Sequence, residues 1–147
     1  MRRLFLSRAA IVGALSAVAG AVSPAAVLAQ TTSKPTRVIV QVSDDDPVRW
    51  NVVLNNVKNL QQDFGAANIT VEIVAYGPGI GMLKMDSPVS SRLLEATNNG
   101  VAVNACENTM RGQKLVHADM LQNITYVPAG VVEIVKRQQE GWAYLRP

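Results

Sequence analysis

Two kinds of apolar pattern alternate along the chain after residue 36. Short β-branched runs recur at residues 37–42 (RVIVQV), 69–76 (ITVEIVAY), 101–105 (VAVNA), 124–127 (ITYV) and 142–145 (WAYL). Such near-continuous apolar runs predict buried strands. Between them the spacing becomes helical. Val53, Val57, Leu60 and Phe64 fall on one stripe, widened by Trp50 and Leu54. Asp46 is placed to cap that helix, with Pro47 in its first position and Gly65 stopping it. Ser87-Pro88 opens a second helix by the same logic. That helix carries Val89, Leu93 and Leu94 and stops at Asn98-Asn99-Gly100. A third helix is predicted over residues 109–121 and a fourth over 131–139, stopped by Gly141. Residues 77–81 (GPGIG) and 128–130 (PAG) read as turns.

The resulting order, β-α-β-α-β-α-β-α-β with short connections, predicts an α/β domain whose parallel sheet is covered by helices on both faces. Such sheets hold their sites outside the carboxyl ends of the strands. Three loops meet that condition: 43–46, 77–81 and 105–109. They supply the candidate ligand-loop residues Ser43, Asp44, Gly77, Gly79 and Gly81, and the cysteine at position 106.

The first 36 residues stand apart from this pattern. Arg2, Arg3 and Arg8 precede a run without charge from residue 9 to 29, which ends in Val27-Leu28-Ala29. Cations, a mildly apolar run and a small-residue cleavage site read as an export signal over residues 1–29. Arg2-Arg3-Leu4-Phe5-Leu6 resembles a twin-arginine signal; an ordinary Sec signal and an uncleaved membrane anchor are the alternatives. Residues 30–36 (QTTSKPT) read as a flexible lead-in, leaving 37–147 as the domain. The expected location is exported, periplasmic or secreted, with no membrane association once the signal is cleaved.

Cleavage changes the charge argument. The full chain has a net charge of +3, but three of its 14 Lys and Arg leave with the signal while all 11 Asp and Glu stay. The mature chain is therefore neutral, and nucleic-acid binding is not expected.

Cys106 is the one cysteine of the chain, so no internal disulfide framework can form. It follows a strand directly and precedes a helix, whose free N–H groups and dipole favour a thiolate. Asn108 and Thr109 are candidate hydrogen-bond donors to the sulfur, and Arg111 a candidate positive charge. The polar residues that follow suggest partial exposure. Cys106 thus reads as a nucleophile or sulfur carrier, with a small buried hydrophobe at a strand end as the alternative.

Other candidates carry less chemistry. Asp44-Asp45-Asp46 offers carboxylates to a hard cation, but a helix cap with solvated loop acids accounts for it as well. Gly77-x-Gly79-x-Gly81 lacks dinucleotide spacing; it reads as a turn, or as a place where backbone meets a ligand or a neighbouring subunit. His117, the one histidine, is placed on the third helix, on the order of 15 Å beyond Cys106 along its axis, and so at a surface or an interface. One Cys and one His give no metal cluster. No metal site and no cofactor are expected.

The stretch 100–111 (GVAVNACENTMR) resembles the cysteine motif of the DsrE/DsrF-like family: a strand, then Ala-Cys-x-Asn-Ser/Thr-Met, then a helix. Residues 42–51 (VSDDDPVRWN) and 127–134 (VPAGVVEI) are similar to that family's first strand-to-helix turn and to a segment near its end. The resemblance implies a three-layer α/β/α sandwich with a five-stranded, mainly parallel sheet. It also implies a homo-oligomer, trimer or hexamer, and a cysteine, here Cys106, carrying persulfide sulfur between a donor and an acceptor protein. Three functions follow as expectations. One is a periplasmic sulfur handler acting as persulfide carrier or in sulfur transfer. The second is a non-enzymatic oligomer binding a small ligand or protein at the same strand ends. The third is a thiol redox sensor.

Overall fold

The computed structural model describes residues 34–147. The export signal read over residues 1–29, and the lead-in as far as residue 33, lie outside the described residues. Among the described residues no helix is long and apolar enough to cross a membrane.

Five strands, β1 (Thr36–Val42), β2 (Ile69–Ala75), β3 (Ala102–Cys106), β4 (Thr125–Val127) and β5 (Ala143–Leu145), form one sheet in the order β4-β3-β2-β1-β5. Every pairing in it is parallel. The helices are α1 (Pro47–Phe64), α2 (Ser90–Asn98), α3 (Glu107–Gly112) and α4 (Gly130–Gln139). Strand alternation sorts their packing. Val38, Val40, Val71, Ile73, Val103 and Ala105 face the larger core, with Trp50, Val53, Leu54 and Val57 of α1, Leu93 of α2 and Met110 of α3. Ile39 and Val74 face the opposite side and meet Ile134 of α4, with Tyr76, Val127 and Trp142 around them. The three-layer α/β/α sandwich is present, with α4 alone on the second face.

Asp46 caps α1 as its sequence predicts: its carboxylate accepts from the N–H groups of Val48 (2.9 Å) and Arg49 (3.4 Å), and Pro47 takes the first position. Three elements differ from expectation. α2 begins at Ser90, with Val89 at its N-cap and no side-chain cap bond, so Ser87-Pro88 precede the helix instead of opening it. The segment 77–81 opens a 3-10 helix, Gly77–Leu83, rather than a simple turn. The third helix stops at Gly112, not at 121. Lys114 adopts φ 57°, the N–H of Leu115 reaches the carbonyl of Met110 (2.9 Å) and that of Lys114 the carbonyl of Arg111 (3.2 Å). That pair of bonds is a helix-ending motif that satisfies the last carbonyls and turns the chain away. His117 therefore lies not on α3 but in a 3-10 turn, His117–Asp119.

The small core under α4 is flanked by a polar network. Glu72 of β2 is 2% exposed. Its carboxylate accepts from Asn104 Nδ2 at 2.6 Å and from Arg137 Nε at 2.7 Å. Arg137 also meets Glu133 (2.9 Å) and Glu140 (3.3 Å) and lies 4.9 Å from the centre of the Trp142 ring. Asn104 is in turn hydrogen-bonded to the Thr125 hydroxyl. Burial raises the Glu72 carboxyl above its ordinary range, although Arg137 and its hydrogen bonds pull the other way.

Candidate functional site

Cys106 ends β3 and stands at the N-cap of α3. Alternation turns its side chain toward the α4 face, opposite the side packed by Ala105. There the chain crosses from β4 into α4 through Pro128-Ala129-Gly130. Ala129, the residue before α4, has no side chain able to cap it. The first N–H of the helix, that of Gly130, instead donates to Cys106 Sγ at 3.2 Å. A Cβ on Gly130 would lie 3.0 Å from Tyr76 Cβ, 3.1 Å from Val74 Cγ1 and 3.3 Å from Cys106 Cβ. Glycine is thus what lets the helix end approach the sulfur.

The Thr109 hydroxyl completes the cradle. The N–H of Gly77 donates to Thr109 Oγ1 at 2.9 Å, which leaves the hydroxyl proton free for the sulfur. Gly77 is itself held on its other side, where its carbonyl accepts from Gln113 Nε2 at 3.2 Å. Burial pushes the Cys106 thiol up and is the largest single influence. The Thr109 hydroxyl, the Gly130 N–H and the N–H groups of Thr109 and Asn108 together outweigh it, and the thiol is lowered from its ordinary value.

The sequence-predicted residues divide accordingly. Cys106 and Thr109 meet, and Gly77 joins them through Thr109. Asn108 contributes its backbone N–H, which also donates to the Pro128 carbonyl at 3.2 Å; its side chain accepts from Arg111 instead of reaching the sulfur. Arg111 is a correction. Its guanidinium is engaged by Asn108 on the exposed side of α3, and it is not among the groups that lower the thiol. Exposure is a second correction: Cys106 is only 4% exposed in this chain, because the first turn of α4 covers it.

The remaining loop residues make internal contacts. Ser43 Oγ accepts from Gln41 Nε2 at 3.2 Å. The Asp44 carbonyl accepts from Trp50 Nε1 at 2.8 Å, and its carboxylate meets Arg146 at 3.4 Å. Gly79 presses on the end of β1, where a Cβ would lie 2.4 Å from the Val42 carbonyl oxygen. Gly81 lines an open polar cleft of about 500 Å³ with Asp45, Trp50, Lys84, Asp86 and Gln113; Cys106 is not among its walls. Among the described residues, no group of three or more His, Cys, Asp or Glu could hold a metal ion. His117 stacks on Tyr126 at 3.8 Å and stands 3.9 Å from Glu107, with its side chain 63% exposed.

Sequence reasoning missed the role of Gly130. The available signal was the missing cap: Ala129 stands where Ser, Thr, Asp or Asn would ordinarily open a helix. It also missed Glu72, a charge in the middle of an otherwise apolar strand.

No family model and no curated protein matches the chain. Solved structures do. A protein of unknown function from Methanobacterium thermoautotrophicum, MTH1491, is 39% identical; the match covers 76% of this chain and 99% of that one, with a TM-score of 0.73. BT1422, a conserved protein of unknown function from Bacteroides thetaiotaomicron, is 15% identical over 76% of this chain and 94% of its own, with a TM-score of 0.63. The ychN protein of E. coli is 13% identical over 78% of this chain and all of its own, with a TM-score of 0.60. The last two show the fold alone.

Proposed function

We propose that this chain, which belongs to the same family as the Methanobacterium protein MTH1491, handles sulfur through Cys106, as a persulfide carrier or in sulfur transfer. The observation that carries the reading is the sulfur's setting. A buried thiol is ordinarily harder to ionise, yet here donors from α3 and from the first turn of α4 converge on it and favour the thiolate. A core cysteine needs no such cradle.

The chemistry is an exchange with no net oxidation. The Cys106 thiolate attacks the sulfane sulfur of thiosulfate or of a polysulfide. A new S–S bond forms as the donor's S–S bond breaks, and sulfite or a shortened polysulfide leaves with the bonding pair. Delivery repeats the exchange: an acceptor thiolate takes the outer sulfur and Cys106 leaves as a thiolate, stabilised by the same donors. A sulfur lying under the first turn of α4 admits such small donors more readily than bulky ones.

The resemblance of residues 100–111 to the DsrE/DsrF-like cysteine motif supports this reading, and the YchN-like fold agrees with it. The further expectations go with it: an exported protein, on the signal read over residues 1–29, working as a homo-oligomer with a separate sulfur donor or acceptor. The half-exposed Val131, Val132 and Val135 on the outer side of α4 are in keeping with a subunit contact.

One observation favours a second reading. The low exposure of Cys106 would suit a wall residue of a non-enzymatic binding module. Intact mass of the mature protein after incubation with thiosulfate or polysulfide separates the two. A reductant-sensitive gain of whole sulfur atoms, absent in Cys106→Ser, is expected of the carrier. A thiol unmodified throughout would transfer the assignment to the binding module.

A further inference from the structure

Three residues of α4 face the sheet at i, i+4 and i+7: Gly130, Ile134 and Arg137. They meet, in reverse order, successive positions on the α4 side of β2 and of Tyr76, the residue that follows it. Gly130 lies against Tyr76 and Val74, Ile134 packs with Val74 and Ile39, and Arg137 binds Glu72. The apolar part of this contact is small, since Ile134 is the one large α4 side chain fully buried in it. Apolar packing is also non-directional: it holds the helix against the sheet without setting how far it lies along the strand. The hydrogen bond from Gly130 to Cys106 needs that setting, because 3.2 Å leaves little slack.

The geometry points to Glu72 and Arg137 as positioning residues for the reactive thiol: the ion pair of the buried Glu72 with the partly buried Arg137 pins the far end of α4 and so keeps the Gly130 N–H on Cys106 Sγ. The two ends are seven residues apart, about 10 Å along a rigid helix. Glu72 is buried while the Arg137 side chain is 31% exposed; a pair with one buried charge is weak evidence for stability, and fixing register is the best-attested use of such groups. The pair is also directional. Glu72 is anchored from below by Asn104, which is held by Thr125, and Arg137 is braced by Glu133, Glu140 and the Trp142 ring. The groups that face Glu72 are therefore Asn104 from β3 and Arg137 with Glu133 from α4. Arg37 of β1 is turned to Trp142 and the Glu140 carbonyl. Around the sulfur the donors are backbone N–H groups and the Thr109 hydroxyl, with no charged side chain among them. Glu72 thus reaches the thiol through the placement of α4.

This inference rests on Cys106 being an acidic thiol, and the test separates the two claims. Thiolate absorbance of the full-length protein is titrated in the wild type, in Glu72→Gln/Arg137→Met and in Arg137→Lys, with the Gly130 amide proton followed by NMR. The double variant removes both charges while leaving an acceptor for Asn104. It is expected to titrate at higher pH, with a roughly tenfold smaller thiolate fraction near neutrality, and its Gly130 amide should lose the shift of a proton bonded to sulfur. Arg137→Lys keeps the charge but loses the planar fork, so a smaller change in the same direction is expected. An acidic wild-type thiol with unchanged titration and amide shift in both variants, or in Arg137→Lys alone if the double variant does not fold, overturns the clamp and leaves the sulfur chemistry standing. A wild-type thiol that titrates in the ordinary range overturns both.

Discussion

At the scale of single residues, the acidity of the thiol rests on two donors that a side-chain change can remove or displace. Thr109→Val keeps the shape and deletes the hydroxyl, so the thiol should move up, which a pH titration of thiolate absorbance reads; the Gly77 N–H loses its acceptor as well, so stability should fall by about 1–3 kcal/mol. Gly130→Ala should act more strongly. The new Cβ meets the Cβ atoms of Tyr76 and Cys106 and a methyl of the stiff, β-branched Val74, none of them the free end of a flexible side chain. The helix end must therefore shift, and both stability and thiol acidity should fall. A stability loss of about 1–3 kcal/mol is expected in urea unfolding. Cys106 and Thr109 were legible in the sequence, because a strand running straight into a helix exposes both to the same N–H groups. Gly130 was not, since 24 residues separate it from Cys106 and a glycine after Pro128-Ala129 reads as turn chemistry alone. Arg111 is close to Cys106 in sequence, but Asn108 holds its guanidinium on the other side of α3.

At the scale of elements, α3 is the instructive case. A helix is predicted over residues 109–121, where the sequence offers no proline before residue 121 to stop it. The helix ends nine residues earlier because Lys114 accepts a left-handed conformation, a role the sequence would advertise only with glycine or asparagine. Lys114→Gly should therefore relieve strain and stabilise the protein by up to about 1 kcal/mol, net of glycine's extra chain entropy. Thermal unfolding monitors it, and destabilisation would contradict the assigned cap. The strands and the starts of α1 and α4 followed their sequence signals closely. The charge at Glu72 reads in sequence only as an exception, because its partners Asn104 and Arg137 lie 32 and 65 residues away.

For the whole molecule, the alternation of strands and helices made the α/β class and the parallel sheet legible. The placement of β5 beside β1, which leaves α4 alone on the second face, was not, since periodicity fixes the elements and not the side on which a crossover returns. Two groups on the α4 face of the sheet, Cys106 and Glu72, give the stability a pH dependence. A thiol lowered in the folded state contributes stability that is complete above the ordinary thiol range and is lost as pH falls through its lowered native value. Wild type should thus gain on Cys106→Ala as pH rises across that interval, as urea midpoints would measure. The Glu72 carboxyl, raised by burial, works the other way: its contribution is complete below the ordinary carboxylate range and fades as pH rises through its native value.

The most direct measurement is the titration of the wild-type thiol in the folded protein, with Cys106→Ser as the blank that removes tyrosine ionisation from the signal. Burial and the converging donors push the same proton in opposite directions, so a single midpoint decides which prevails. A midpoint below that of an ordinary cysteine is expected. A midpoint at or above it would mean that burial prevails, and Cys106 would then be a core residue beside a helix end, not a sulfur nucleophile.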